Sequence, residues 1–365
     1  MRIAMAGTGW MLLVLQAAAA PTYRIETVAS GLDHPWAIAF LPDGTQLVTE
    51  RAGRLRLIEQ GVLRAEPVSG VPPVYASDQA GLFDIALDPD FAANRQIYLS
   101  FAHGDDAANA LRVVRARYDA GALHEPEVLF TAQPMKRGGA HFGGRIAFLS
   151  DATLVVTVGE GFVHREGAQR LDNHFGKLVR FTRDGAVPPD NPFVRREGAR
   201  PEIYSLGHRN PQGLVFDAQH GVLYEHEHGP RGGDELNRIA PGANYGWPLA
   251  SFGLDYTGAR ISPWQEYPDT VAPLLHWTPS IAPSGMTLYR GNLFPAWKGS
   301  LFVAALVEKS VRRVELREGK AATQEILFTE LNQRLRDVRA APDGSLWLLT
   351  DSADGRVLRV VPAGG

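Results

Sequence analysis

The sequence predicts an all-β fold, a six-bladed β-propeller of four-stranded antiparallel blades with its site at the mouth of the central funnel. A short β-meander recurs six times along the chain, and long helical periodicity is missing. The copies begin at Trp36, Phe83, Arg145, Gly213, Met286 and Asp337, roughly 45 to 75 residues apart. That spacing suits propeller blades with insertions better than solenoid repeats of roughly 20 to 30 residues. Within a copy, an alternating run such as Trp36-Ala37-Ile38-Ala39-Phe40 meets a Pro42-Asp43-Gly44 turn, and Gln46-Leu47-Val48-Thr49 follows as a second strand. Proline and glycine pre-set the reversal, and the alternation marks strands with one buried face. A β-sandwich is the alternative, but six similar meanders are hard to distribute over two sheets.

Length bounds the rest. The 365 residues, 45% of them hydrophobic, can bury a large core; length alone would suggest two or three domains, but β-architectures of this size often form one, and the chain is read as one domain over residues 21–365. A net charge of -3 with no basic stripe argues against nucleic acid and anionic membranes as partners and points to a small-molecule substrate. The chain has no cysteine, which excludes disulfides, thiolate metal sites, thiol nucleophiles and a lipoprotein anchor. Any metal must therefore sit on oxygen or imidazole. Residues 1–20 read as a secretory signal: Arg2 is basic, residues 10–15 are apolar, and Ala17 to Ala20 form a small-residue cleavage zone. A membrane anchor is the alternative, though the apolar run is short for a span of about 20 residues. No later segment is apolar and long enough to span, so the expected location is periplasmic or secreted.

In a propeller the loops at one end converge on a shared funnel, and three stretches there read as long insertions: residues 133–141, 163–174 and 225–279. The segment His226-Glu227-His228-Gly229-Pro230-Arg231-Gly232-Gly233-Asp234-Glu235 crowds a turning backbone and hard oxygen ligands together, the ligand type Ca²⁺ takes. A polar surface loop is the bland alternative. His141, in Gly138-Gly139-Ala140-His141-Phe142-Gly143-Gly144-Arg145, is a candidate general base, and Glu160, after the next strand, is a carboxylate placed to orient it. Arg209, in Gly207-His208-Arg209-Asn210-Pro211, is a fixed planar cation suited to a developing negative oxygen. Arg334 and Arg336 stand two apart and face one side, implying an anion with more than one carboxylate or phosphate, or else a surface pair bridged to Asp337 or another acid. No dinucleotide fingerprint, G-x-S-x-G elbow or H-E-x-x-H helix occurs.

Those motifs, with Gly31-Leu32-Asp33-His34-Pro35-Trp36, Gly81-Leu82-Phe83-Asp84, Asn244-Tyr245-Gly246-Trp247-Pro248 and Ala282-Pro283-Ser284-Gly285-Met286, stand in the order seen in a known family. From about Thr27 onward the chain resembles the soluble pyrroloquinoline quinone (PQQ)-dependent aldose sugar dehydrogenases of the glucose/sorbosone dehydrogenase family. The resemblance implies PQQ and Ca²⁺ as cofactors, oxidation of the anomeric carbon of aldoses to lactones, and an external electron acceptor. It casts His141 as the base, Glu160 as its orienting acid, Arg209 as the stabiliser of the quinone oxygen, and Asn210, Arg334 and Arg336 as cofactor contacts. Gln79 would line the substrate side. Gly229 and Pro230 would offer backbone carbonyls to Ca²⁺, with Asp234 and Glu235 in the same loop. Where the family usually has a lysine after a small-Leu pair, this chain reads Ala305-Leu306-Val307-Glu308-Lys309; Lys309 is the lysine expected to reach the cofactor instead, on the rule that i and i+2 share a strand face. Two other functions remain compatible with the sequence: a Ca²⁺-dependent propeller lactonase, and a sugar-binding propeller without redox activity.

Overall fold

A computed structural model describes residues 22–364; the stretch read as a signal lies outside the described residues. Six four-stranded antiparallel sheets are present, and each repeat start falls on an inner strand. These inner strands are Pro35–Phe40, Leu82–Leu87, Gly143–Phe148, Pro211–Asp217, Pro283–Leu288 and Leu335–Ala340, which open blades one to six. They contact one another in sequence, and the sixth touches the first, so the ring is closed. Closure is completed by the N-terminal strand Tyr23–Leu32, which pairs with Gly355–Pro362 as the outer strand of blade six. Each inner strand is the edge of its own sheet, and ring closure turns those six edges toward the axis.

Packing follows from the alternation read in the sequence. Second strands such as Leu154–Val158 and Leu346–Thr350 are buried along their whole length because both faces meet a neighbouring blade. Truncating one of these side chains, for example Leu348→Ala, is expected to cost about 2 to 5 kcal/mol of stability. At the axis, charges replace apolar contacts. Arg145 is fully buried, lies 3.9 Å over the Trp36 ring and faces Asp84 and Asp337, while Arg339 bonds both acids. Paired in this way, the four groups compensate one another's charge.

One feature of the strands prepares the site. Every inner strand pairs with its second strand through a register break at its first residues: after Pro35, Leu82, Gly143, Pro211, Pro283 and Leu335. A bulge there turns side chains out of the sheet and toward the funnel. Non-glycine residues with positive φ gather at the same end, among them His34 (47°), Asp78 (55°), His141 (51°) and Ala282 (51°). Such backbone is strained for these residue types and persists only where the surroundings hold it.

Two expectations need correction. Residues 225–279 are not one insertion, since Val222–Glu227, Asp234–Ile239 and Leu275–Trp277 are the second, third and outer strands of blade four. The glycines and charges of 226–235 disguised two strand ends, and the turning loop is only 228–233.

Candidate active site

A cavity of about 330 Å³ opens at this mouth. Its wall draws residues from two places in a blade: just before or at the start of the inner strand, and just after the second strand. Trp36 and Arg51 come from blade one, Asn210 and His228 from blade four, Ala282, Leu306 and Val307 from blade five, and Arg334, Arg336 and Asp351 from blade six. Gln79, Asp78, Phe83 and Phe142 complete most of it. Trp36, Phe83 and Phe142 form a run of rings with centroids 5.4 and 5.5 Å apart, an apolar patch suited to a flat ligand.

His141 stands beside this cavity, next to the lining residues Phe142 and Gly143, and is buried. Its amide N–H donates to Gln79 Oε1 at 3.1 Å, and its ring Nδ1 is 2.9 Å from Glu160 Oε1. Nε2 has no protein partner among the described residues, which is the arrangement a base needs when the carboxylate fixes Nδ1–H. Burial, then the charges of Arg209 and Lys136, push the His141 pKa well below its usual value. Burial lifts Glu160 to about 7, against the pull of Arg209.

Arg209 is the hub of blade four. Its Nη1 donates to His228 O at 3.0 Å and Gly229 O at 2.6 Å, its Nη2 reaches the Tyr256 hydroxyl at 3.4 Å, and the guanidinium lies 5.3 Å over Trp247. Its backbone carbonyl accepts the Glu160 N–H at 2.8 Å, which ties the base's carboxylate to the cation. Nε is buried and unpartnered, one donor held ready. Asn210 lines the cavity beside it. Tyr256 stacks toward Phe162, and Phe162 meets the His141 ring edge-on at 5.1 Å, so an aromatic wall rises over the base.

Arg334 and Arg336 do face one way, but their shared acid is Asp351, not Asp337. Arg334 Nε donates to Oδ2 at 2.9 Å and Arg336 Nη2 to Oδ1 at 3.1 Å. Asp337 is committed to Arg145 and Arg339 at the axis.

The metal candidates divide. Asp234 is an organiser: Oδ1 accepts Gly229 N–H at 2.9 Å, and Oδ2 accepts Ser280 Oγ–H, Ile281 N–H and Ala282 N–H at 2.7 to 3.0 Å. It holds the Gly229–Pro230 turn with its own oxygens already used. Glu235 points to the opposite face of its strand and lies across from Glu227 in a buried acidic patch, where burial and that neighbour raise its pKa. The Gly229 carbonyl already accepts from Arg209 Nη1 at 2.6 Å, which leaves its second lone pair for a cation, whereas Asp234 has both oxygens engaged and Glu235 lies on the other face of the strand. His208, Glu225 and Glu227 also approach within ligating distance of one another, and none of the three lines the mouth cavity.

Lys309 is not brought to the site. The strand Leu301–Ala305 has ended, so the i, i+2 rule fails; Lys309 adopts φ 56° and donates to Asn332 Oδ1 at 3.0 Å, while Val307 lines the cavity. Arg51, Asp351 and Lys136 were missed in the sequence. The first two follow second strands, a position equivalent to that of Glu160.

The sequence model described as Glucose / Sorbosone dehydrogenase matches residues 32–359. Aldose sugar dehydrogenase YliI of Escherichia coli is 43% identical over 351 residues, covering 94% of each chain. A crystal structure of a glucose dehydrogenase superposes with a TM-score of 0.90 at 46% identity, covering 93% of this chain and all of the other. The PQQ-bound aldose sugar dehydrogenase of Streptomyces coelicolor superposes with a TM-score of 0.76 at 33% identity, over 94% of this chain and 99% of its own. The chain is an enzyme of the glucose/sorbosone dehydrogenase family.

Proposed function

We propose that the protein is a PQQ- and Ca²⁺-dependent dehydrogenase that oxidises the anomeric carbon of aldoses to lactones and passes the electrons to an external acceptor, working in the periplasm or outside the cell. The observation that carries this reading is the pairing of His141 with Glu160 beside Arg209, at the same mouth as the Arg334/Arg336 pair. A PQQ-bound relative at 33% identity supports the cofactor.

The cavity fits such a group: three aromatic rings offer a flat apolar face, and arginines stand at one rim to meet carboxylates. Arg334, Arg336 and Asn210 would hold PQQ, and the carbonyls of Gly229 and Pro230 would hold Ca²⁺. Bound there, the pair supplies a hydride acceptor polarised by a Lewis acid. The chain's own residues do the rest. His141 Nε2 takes the proton of the anomeric hydroxyl, with Glu160 fixing the ring and offsetting the imidazolium charge. Arg209, held by two carbonyls, presents its remaining donors where negative oxygen develops. Phe162 and Tyr256 cover the base and exclude water from it.

The test is reconstitution: apo-protein mixed with PQQ and Ca²⁺ is assayed with glucose and a dye acceptor. Turnover that needs both additions is expected; no PQQ binding and no turnover would sink the reading. Hydrolysis of lactones without PQQ would instead favour the lactonase, and sugar binding without turnover a binding module.

A further inference from the structure

Arg51 follows the second strand of blade one, Gln46–Glu50, and its place is fixed on both sides. Its N–H donates to His34 O at 3.1 Å, and its carbonyl accepts the Leu82 N–H at 3.0 Å. Gly81 packs so closely on the Arg51 carbonyl and side-chain stem that a Cβ there would collide with both. The stem is therefore docked across the junction of blades one and two while the residue lines the mouth cavity.

What the guanidinium meets there is unusual. Among the described residues no carboxylate forms an ion pair with it, whereas Arg334 and Arg336 share Asp351. Three arginines thus converge with one carboxylate engaged between two of them. Asp78, the other acid of the wall, forms no ion pair with Arg51 among the described residues. An excess of cations at a partly enclosed rim favours a ligand with several anionic groups. On the far side of blade six, where the family resemblance places a lysine, Val307 offers none.

We propose that Arg51 is a third anion-binding residue of the mouth, holding a carboxylate of the bound cofactor on the blade-one side of Arg336. This rests on the PQQ reading above and locates the third cation at Arg51 in place of the fifth-blade lysine. Among the described residues Arg51 makes no hydrogen bond to His141 or Glu160, so its expected effect is on cofactor affinity.

The experiment is a titration of apo-protein with PQQ in the presence of Ca²⁺, followed by quenching of intrinsic fluorescence, for wild type, Arg51→Gln and Arg51→Lys, with thermal melts to confirm folding. Loss of one charge-assisted contact should weaken PQQ binding by about 10- to 100-fold in Arg51→Gln, with Arg51→Lys in between. PQQ trimethyl ester should bind wild type and Arg51→Gln alike. If folded Arg51→Gln binds PQQ as wild type does, or loses as much affinity for the ester as for the acid, the proposal is overturned while the cofactor reading stands. If wild type itself binds no PQQ, both fall.

Discussion

The two sides of the mouth are built on opposite electrostatic plans. On the side of blades two to four, His141, Glu160 and Arg209 are buried and interlocked: ring to carboxylate, carboxylate backbone to arginine backbone, guanidinium to the 228–229 carbonyls. On the side of blades five, six and one, Arg334 and Arg336 share one acid, and Arg51 has none among the described residues. The first arrangement has low dielectric and fixed geometry, which is what tunes a proton acceptor. The second has cationic charge in excess around a single acid, with Arg334 exposed at the rim, which attracts an anion and is weakened by salt. The mouth thus separates chemistry from capture.

The sharpest way to break that comparison is to remove one member from each side. His141→Ala should lower turnover by about 10²- to 10⁴-fold while leaving PQQ affinity within a few-fold of wild type, as measured by steady-state rates and a fluorescence titration. A variant with full turnover would remove His141 as the base. Arg336→Gln should do the reverse, weakening PQQ binding by about 10- to 100-fold and leaving turnover at saturating cofactor nearly intact. Part of that loss is the penalty of leaving Asp351 with one partner instead of two. Asp234→Ala probes the support between the sides. Losing an acceptor for four donors around Gly229 and Ala282 should cost about 3 kcal/mol in chemical denaturation and lower the affinity for Ca²⁺. Stability unchanged to within 1 kcal/mol would show that water replaces the carboxylate, with about 1 kcal/mol being the smallest loss expected.

The residues also show why the sequence revealed one side better than the other. All six inner strands were legible because a Pro/Asp/Gly turn after an alternating run is a local signal. His141, Arg209, Arg334 and Arg336 were visible because each directly precedes or opens such a strand. Residues after second strands carry no local mark: Glu160 was found through a nearby histidine, but Arg51 and Asp351 become neighbours of the site only once the sheet folds back on itself. The Lys309 expectation failed for a related reason. Face-sharing holds inside a strand, and the strand stops at Ala305 before the rule can reach it. Asp234 draws the eye in the sequence because carboxylates are the visible ligands there, whereas its oxygens accept from backbone N–H groups and the Ser280 hydroxyl that only the folded loop brings together.

The smallest effect separates the two sides by pH. Burial raises Glu160 to about 7 and depresses His141, so near neutrality the pair holds one proton between Nδ1 and Oε1. Adding a second proton, on either residue, leaves Nε2 protonated and the base lost. The acid limb of kcat/KM should therefore fall with an apparent pKa near 7 that belongs to the pair, and Glu160→Gln should move it, whereas Arg51→Gln on the capture side should not. Stability of the apo-protein carries the same signature with its own sign. Between the ordinary 4.5 and about 7 the folded protein keeps a proton on Glu160 that the unfolded chain has released. This contribution is fully present below 4.5 and is lost as pH rises through 7, up to about 3 kcal/mol. His141 opposes it, because a depressed pKa makes stability grow as pH rises toward 6.5. The comparison to make is therefore between wild type and Glu160→Gln across pH 4.5 to 7, by chemical denaturation, where the difference should narrow in the variant's favour as pH rises. A constant difference across that window would mean that Glu160 is ionised throughout, and the acid limb would then report His141 alone.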